Sequence, residues 1–215
     1  SYANPLVSGF TTNPTLMRRA GVTDYRAFAQ EIVKEIPDRD ISFEVFSDEF
    51  EDMERQAREI ATWGENVYVK IPISNTKGES SCDMINRLSQ DGVKVNVTAI
   101  FLLNQVREVA AAVDGGAPCC VSVFAGRIAD AGLDYMPVMA ESVKILSTNP
   151  VAELIWASPR EVYNVVEADD VDCHIITCTS DIIKKLPTLG KELGQFSLET
   201  VQLFYDDATA AGYSL

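Results

Sequence analysis

The feature that most limits what this chain can fold into is a regular alternation of short apolar runs with helix-like segments. Strand-favouring runs fall at 6–10, 41–46, 67–73, 94–98, 119–124, 153–157 and 173–177. The spacing between them predicts helices over 24–36, 49–63, 79–90, 103–113, 137–147, 160–167 and 180–185, with a polar turn directly after the 119–124 run. A last helix, about 197–212, ends at Gly212, a residue suited to a helix C-terminus. Strands alternating with helices form a parallel sheet with right-handed crossovers. No glycine-rich phosphate loop follows the first run, which favours a (β/α)8 TIM barrel over a doubly wound sheet. A barrel needs eight strands. The first is therefore expected to be missing from this sequence, with Ser1 in a helix or loop directly before the second. The whole of 1–215 is read as one barrel domain plus the C-terminal helix.

One of these runs carries an unusual residue. In Asn66-Val67-Tyr68-Val69-Lys70-Ile71-Pro72-Ile73, alternation puts Lys70 on the face of Tyr68 and Pro72, opposite Val69 and Ile71. An ammonium in such a run must be paired or give up its proton. A neutral amine adds to carbonyls, so the functional reading is a Schiff-base lysine. The plain alternative is a strand-end lysine reaching out to water.

Three further polar residues interrupt neighbouring runs at equal spacing: Glu44, Lys70, Asn96 and Ser122 are each 26 positions apart. In βα units of equal length this places the four side chains at one height on consecutive strands. Unbroken inward alternation would bring them to one side of the barrel mouth, where barrel active sites lie. Thr98 shares the face of Asn96, and Phe124 that of Ser122. A lysine, a carboxylate one strand away, and amide and hydroxyl groups beyond suit carbinolamine and imine chemistry. The carboxylate would move protons, directly or through a water held with Thr98. The amides and hydroxyls would hold substrate hydroxyls. Glu44 in an ion pair with Lys70, without catalysis, is the structural alternative.

Two arginines follow later runs, Arg127 in Phe124-Ala125-Gly126-Arg127 and Arg160 in Ser158-Pro159-Arg160. Loops after the last strands of such barrels often bind phosphate, and arginines suit it. As alternatives, Arg160 is a solvated first-turn residue and Arg127 pairs with Asp130 or Asp134.

The formal net charge of −14 argues against nucleic acid and anionic membranes as partners, and an anionic substrate needs a locally positive pocket. No apolar run is long enough for a membrane span, and no signal-peptide pattern opens the chain. The five cysteines, Cys82, Cys119, Cys120, Cys173 and Cys178, form no CxxC pair. They read as reduced thiols of a cytoplasmic protein. With His174 the single histidine, a zinc site or a metal-dependent sugar-phosphate epimerase is disfavoured, and His174 is read as a core or strand-end residue. The acidic stretch 47–59 reads as a solvated helix face, and Cys119-Cys120 as core.

Four motifs, in this order, carry a family resemblance: Phe10-Thr11-Thr12-Asn13-Pro14-Thr15-Leu16, Val69-Lys70-Ile71-Pro72, Asn96-Val97-Thr98-Ala99-Ile100-Phe101, and Val121-Ser122-Val123-Phe124-Ala125-Gly126-Arg127-Ile128-Ala129-Asp130. They resemble the short, single-barrel branch of the transaldolase family, which also holds the fructose-6-phosphate aldolases. The resemblance runs from about Leu6 to Leu186. It implies that Lys70 forms the Schiff base and that Glu44 and Thr98 hold the proton-shuttling water. It further implies that Asn13, Asn96 and Ser122 bind ketose hydroxyls, with Thr11 supporting the pocket. Arg127, Ser158 and Arg160 would take the substrate phosphate. It implies no cofactor or metal, sugar-phosphate substrates, and a homo-oligomer, a pentamer or decamer built through the C-terminal helix. It also implies an acid/base aspartate on a strand before Leu6, which no residue of this sequence matches. Glu44 and Phe124 resemble the transaldolase type, whereas the aldolase type carries Gln and Tyr there. Physically, a phenylalanine leaves the enamine drier than a tyrosine would. The expectation is therefore a class I transaldolase moving a three-carbon dihydroxyacetone unit between sugar phosphates, as in the pentose phosphate pathway. The rivals are a fructose-6-phosphate aldolase releasing free dihydroxyacetone and a non-catalytic sugar-phosphate-binding barrel.

Overall fold

The computed structural model describes residues 2–213, so the expectation for Ser1 lies outside the described residues. These form two compact units, one ending at Cys178 and the other beginning at Thr179.

The first unit contains seven strands: β1 (Gly9–Thr11), β2 (Asp40–Glu44), β3 (Val67–Pro72), β4 (Val95–Ile100), β5 (Cys119–Val123), β6 (Ala152–Trp156) and β7 (Ile175–Ile176). They form one parallel sheet in sequence order, and among the described residues β1 pairs only with β2 and β7 only with β6. Between them run α1 (Pro14–Arg19), α2 (Tyr25–Glu35), α3 (Phe50–Ala61), α4 (Cys82–Gln90), α5 (Leu103–Ala112), α6 (Ala125–Asp130), α7 (Met136–Leu146) and α8 (Tyr163–Asp170). The second unit holds α9 (Ser180–Lys185) and α10 (Leu193–Ala210).

The pattern of each helix accounts for its placement. In α3 the buried residues are Met53, Ala57 and Ile60, spaced to share one stripe. Its outer face is charged, with Arg55 on Asp52 and Arg58 on Glu54, as the acidic stretch led one to expect. Asp24 caps α2 by accepting from the Ala27 N–H at 3.0 Å.

Both faces of the sheet are largely buried, which explains why its strands read as nearly continuous hydrophobic runs. The outer face, with Ile41, Phe43, Val69, Ile71, Val97 and Val121, joins the helices in the main core. The other face carries a smaller cluster of Tyr68, Cys120, Ile155 and Ala157, against which Phe124 and Ile175 pack. Alternation puts Ser42, Glu44, Lys70, Asn96 and Ser122 on this second face.

That face is concave. Ser42 on β2 and Asn96 on β4 are two strands apart, roughly 9–10 Å in a flat sheet. Their side chains nevertheless meet at 3.0 Å across β3. The curvature is that of an α/β barrel.

Beyond shifts of a few residues at other element ends, α10 among them, three differences from the sequence expectation bear on the site. α1 begins at Pro14, where the missing proline N–H is harmless and its fixed φ suits a helix. α6 replaces an expected polar turn, because Ala125-Gly126-Arg127-Ile128 follows β5 directly and buries Ala125 and Ile128. α8 starts at Tyr163 instead of 160, leaving Ser158, Pro159 and Arg160 in the preceding loop.

Candidate active site

Glu44 is the Cα partner of Lys70 in the β2–β3 register, and Lys70 of Asn96 in β3–β4. The Lys70 Nζ donates to Glu44 Oε1 at 3.0 Å and to the Thr12 carbonyl. The two side chains are 14% and 10% exposed, so both charges sit largely out of water and depend on these partners. Glu44 Oε2 in turn accepts from Thr12 Oγ1 and from the Tyr25 hydroxyl, each at 2.8 Å. The Tyr25 oxygen also accepts the Glu44 N–H at 2.9 Å. Burial, with the Glu44 carboxylate second, raises the Tyr25 pKa far above that of a free phenol, so it stays protonated.

One strand further the polar groups form a second chain. Ser122 Oγ donates to Asn96 Oδ1 at 2.7 Å, and Asn96 Nδ2 donates to Ser42 Oγ at 3.0 Å. The equal-height expectation for Ser122 needs correction. The residue opposite Asn96 is Cys120, so Ser122 stands one pleat further along and reaches Asn96 diagonally. The β4–β5 register shifts between Val97 and Ile100, where Ala99 adopts a positive φ of 59°. Thr98 lies beside this irregularity, half-buried, its hydroxyl 3.5 Å from the Ile71 carbonyl.

The two arginines are carried by neighbouring segments. Phe124 caps α6; its ring lies 5.8 Å from Phe101, and the exposed Arg127 guanidinium lies 5.8 Å from its centroid. Gly126 touches the chain beyond β6: a Cβ on Gly126 would lie 1.6 Å from the Ser158 carbonyl oxygen. Ser158 has a positive φ of 61°, which turns the chain toward Arg160. The Arg160 N–H and the Glu161 N–H both donate to Asn164 Oδ1, at 2.7 and 3.1 Å. The Arg160 guanidinium forms a two-pronged pair with Asp130, its Nε 3.0 Å from Oδ1. Asp130, one of the partners considered for Arg127, is thus engaged by Arg160 instead, and Arg160 is not on the first turn of a helix.

Thr11 ends β1, exposed, with its hydroxyl 3.4 Å from the Thr12 carbonyl, and Asn13 lies between β1 and α1. His174 Nδ1 accepts the Leu154 N–H at 3.1 Å, a strand-end role. The structure therefore joins Glu44 with Lys70 and Asn96 with Ser122 in two bonded groups on adjoining strands. Arg127, Ser158 and Arg160 follow β5 and β6.

Sequence reasoning missed Thr12, Tyr25 and Ser42. Ser42 was legible, being two residues before Glu44 and so on its face. Thr12 lies inside the Thr11–Asn13 motif but was given no role. Tyr25 carries no local signal, because it reaches the carboxylate from a helix.

A family model described as Transaldolase/Fructose-6-phosphate aldolase matches residues 1–214. A probable transaldolase of Dehalococcoides mccartyi is 35% identical over 182 residues, covering 84% of this chain and 81% of the relative. Those of Roseiflexus castenholzii and Methanococcus maripaludis are both 37% identical, over 181 and 185 residues, covering 84% of this chain and 79% and 80% of theirs. With the family match running through every motif that builds the site, this chain belongs to the transaldolase/fructose-6-phosphate aldolase family.

Proposed function

We infer that the protein is a class I transaldolase that works through an imine on Lys70. The observation that carries this reading is the Lys70 amine held against the Glu44 carboxylate at 3.0 Å, on the concave face near the C-terminal ends of β2 and β3. Proton transfer from Nζ to Oε1 frees the amine's lone pair for attack on the C2 carbonyl of a ketose phosphate. The same proton then returns to the carbinolamine hydroxyl, which leaves as water and gives the iminium. Thr98 is suited to hold the water that relays these protons.

The iminium then accepts the electron pair of the C3–C4 bond as the C4 hydroxyl loses its proton, releasing an aldose phosphate and leaving an enamine. The family resemblance gives that proton to an aspartate on a preceding strand, which no residue of this sequence matches. Asn13, Asn96 and Ser122, with Thr11 behind them, suit the ketose hydroxyls. Arg127, Ser158 and Arg160 suit the phosphate, and the two guanidiniums supply positive charge in a chain of net charge −14. The Phe124 ring beside Phe101 favours an enamine that waits for an aldose phosphate over one that is protonated, hence transfer over free dihydroxyacetone release.

Borohydride trapping tests the reading. Incubation with fructose 6-phosphate, reduction and peptide mass spectrometry should find a dihydroxyacetone adduct on Lys70. An adduct elsewhere, or none on folded protein, would sink it. Product analysis with and without erythrose 4-phosphate separates transfer from aldolase release.

The helix α10 exposes Leu193, Leu198, Val201, Phe204 and Tyr205. This apolar display supports assembly of several copies through α10. Light scattering of the native chain and of Phe204→Ser tests it; an unchanged mass would refute a role for that face. Among the described residues no helix is long and apolar enough to cross a membrane, and the five free cysteines suit the cytoplasm.

A further inference from the structure

We propose that Tyr25 is a positioning residue that, with Thr12, saturates one oxygen of Glu44 so that the other alone exchanges protons with Lys70. This rests on the imine reading of Lys70 and Glu44 and extends it to a residue on α2 outside the barrel strands.

A carboxylate has two chemically equivalent oxygens, and a side chain free to rotate about its last bond presents either one. Here they are made unequal. Among the described residues, Oε2 lies within reach of two hydroxyl donors, the Tyr25 phenol and Thr12 Oγ1, which is closer to it (2.8 Å) than to the Ser42 carbonyl (3.0 Å), while the Lys70 ammonium donates to Oε1. The Tyr25 oxygen is 3.2 Å from Thr12 Oγ1 and accepts the Glu44 N–H, so its own proton is directed to the carboxylate or to Thr12. The ring cannot swing away. It meets Phe46 and Phe43 edge-on, at centroid distances of 4.7 and 6.1 Å, and lies 6.3 Å from Trp63. Its high pKa keeps it a donor through any working pH.

The consequence for chemistry is specific. A hydroxyl that donates to a carboxylate stabilises the ionised form. It also blocks protonation at Oε2, since that oxygen would have to give up a donor to gain a proton. The proton taken from Lys70 therefore stays on Oε1, facing the carbinolamine that needs it back. Among the described residues, the titratable groups bonded to the Glu44 carboxylate are Lys70 from β3 and Tyr25 from α2, with Thr12 the neutral third partner.

The test uses Tyr25→Phe, which keeps the ring packing and removes the hydroxyl, and Thr12→Val, which removes the other donor and keeps the Thr12 carbonyl. Steady-state kinetics and the rate of borohydride-trappable imine formation are measured for both beside the native protein. In Tyr25→Phe kcat should fall, because Oε2 loses a donor and can take up the proton that the carbinolamine needs back. The imine-forming rate should fall about tenfold while KM for the phosphate substrate holds within twofold. Thr12→Val should slow imine formation in the same way, and it decides the matter if Tyr25→Phe does not fold. A lowered kcat with a native imine-forming rate would reduce Tyr25 to a packing residue and overturn the proposal. Absence of any Lys70 adduct in the native protein would instead defeat the imine reading itself.

Discussion

Glu44 and Lys70 are register partners on β2 and β3, and their side chains close a 3.0 Å ion pair between two largely buried groups. The pair satisfies both charges, and it also leaves the amine next to a proton acceptor.

Its catalytic use is separable from its structural one. Glu44→Gln keeps the size of the side chain but cannot take the Lys70 proton. Turnover should fall by roughly 10²–10⁴, the usual worth of a placed acid–base group. Lys70→Ala should abolish turnover and the borohydride adduct together. That change leaves Glu44 with its two hydroxyl donors, so stability should drop by only about 1–3 kcal/mol. Urea titration and peptide mapping check both. Retained turnover in Lys70→Ala would end the imine assignment.

Arg160 presents a competition. Its guanidinium is paired with Asp130, but the side chains are 48% and 55% exposed, and such surface pairs contribute about 0–1 kcal/mol. A charge-assisted hydrogen bond to a substrate phosphate contributes about 1.5–3 kcal/mol. The phosphate should therefore win. Arg160→Ala should raise KM for fructose 6-phosphate about tenfold or more, whereas Asp130→Asn should leave KM within about fivefold of native, and on the lower side at low salt. A KM unchanged by Arg160→Ala would remove the phosphate role.

Gly126 brings the segment of Arg127 against the segment of Ser158 and Arg160. A methyl there would stand 1.6 Å from the Ser158 carbonyl oxygen, which is backbone and cannot turn aside as a side chain would. Gly126→Ala should cost about 1–3 kcal/mol or more in urea unfolding and raise KM with it, because Arg127 and Arg160 move apart. Native stability in this variant would show that the contact is loose.

Much of this arrangement was legible in sequence, and the rest was hidden for physical reasons. Lys70 stood out because an ammonium inside a buried strand needs a partner, and the spacing pointed to that partner, Glu44. The same spacing misplaced Ser122, because equal sequence intervals give equal heights only where the pairing offset matches them: Glu44 pairs with Lys70 and Lys70 with Asn96, but Asn96 pairs with Cys120, two residues short of Ser122. Arg127 and Arg160 were found as residues, but their settings were not. The short helix α6 looked like a turn, and the Asp130 contact joins segments 30 residues apart. Tyr25 could not be found at all from strand periodicity, since a helix brings it to the carboxylate.

Away from the site, Glu54 ties α3 to α4. Arg87 and Arg58 each donate to it at 2.7 Å, and these bonds, Arg87 first, hold its carboxyl below the usual 4.5. A depressed carboxylate stabilises the fold fully above its unfolded pKa, and that contribution is lost as pH falls through the folded value. Against Glu54→Gln the native protein should be more stable by about 1 kcal/mol at pH 7, the scale of a largely exposed pair. The gap should close below about pH 4. A gap that is constant with pH would mean that packing, not charge, links the helices.

On the imine reading, Phe124 should set how long the enamine lives. Its ring lies 5.8 Å from Phe101 and offers no donor, so water near the enamine carbon has nothing on this side to hold it. Phe124→Tyr adds a hydroxyl at the ring's far end. A water bound there can protonate the enamine carbon, and the imine then hydrolyses to free dihydroxyacetone before an acceptor arrives. Release without erythrose 4-phosphate should rise about tenfold in this variant, while transfer to the acceptor falls. The change adds one polar atom and leaves the ring, so stability should stay within about 1 kcal/mol of native. Coupled detection of dihydroxyacetone with and without acceptor measures the ratio. An unchanged ratio would mean that the transfer preference is set elsewhere, with Glu44 the next residue to exchange.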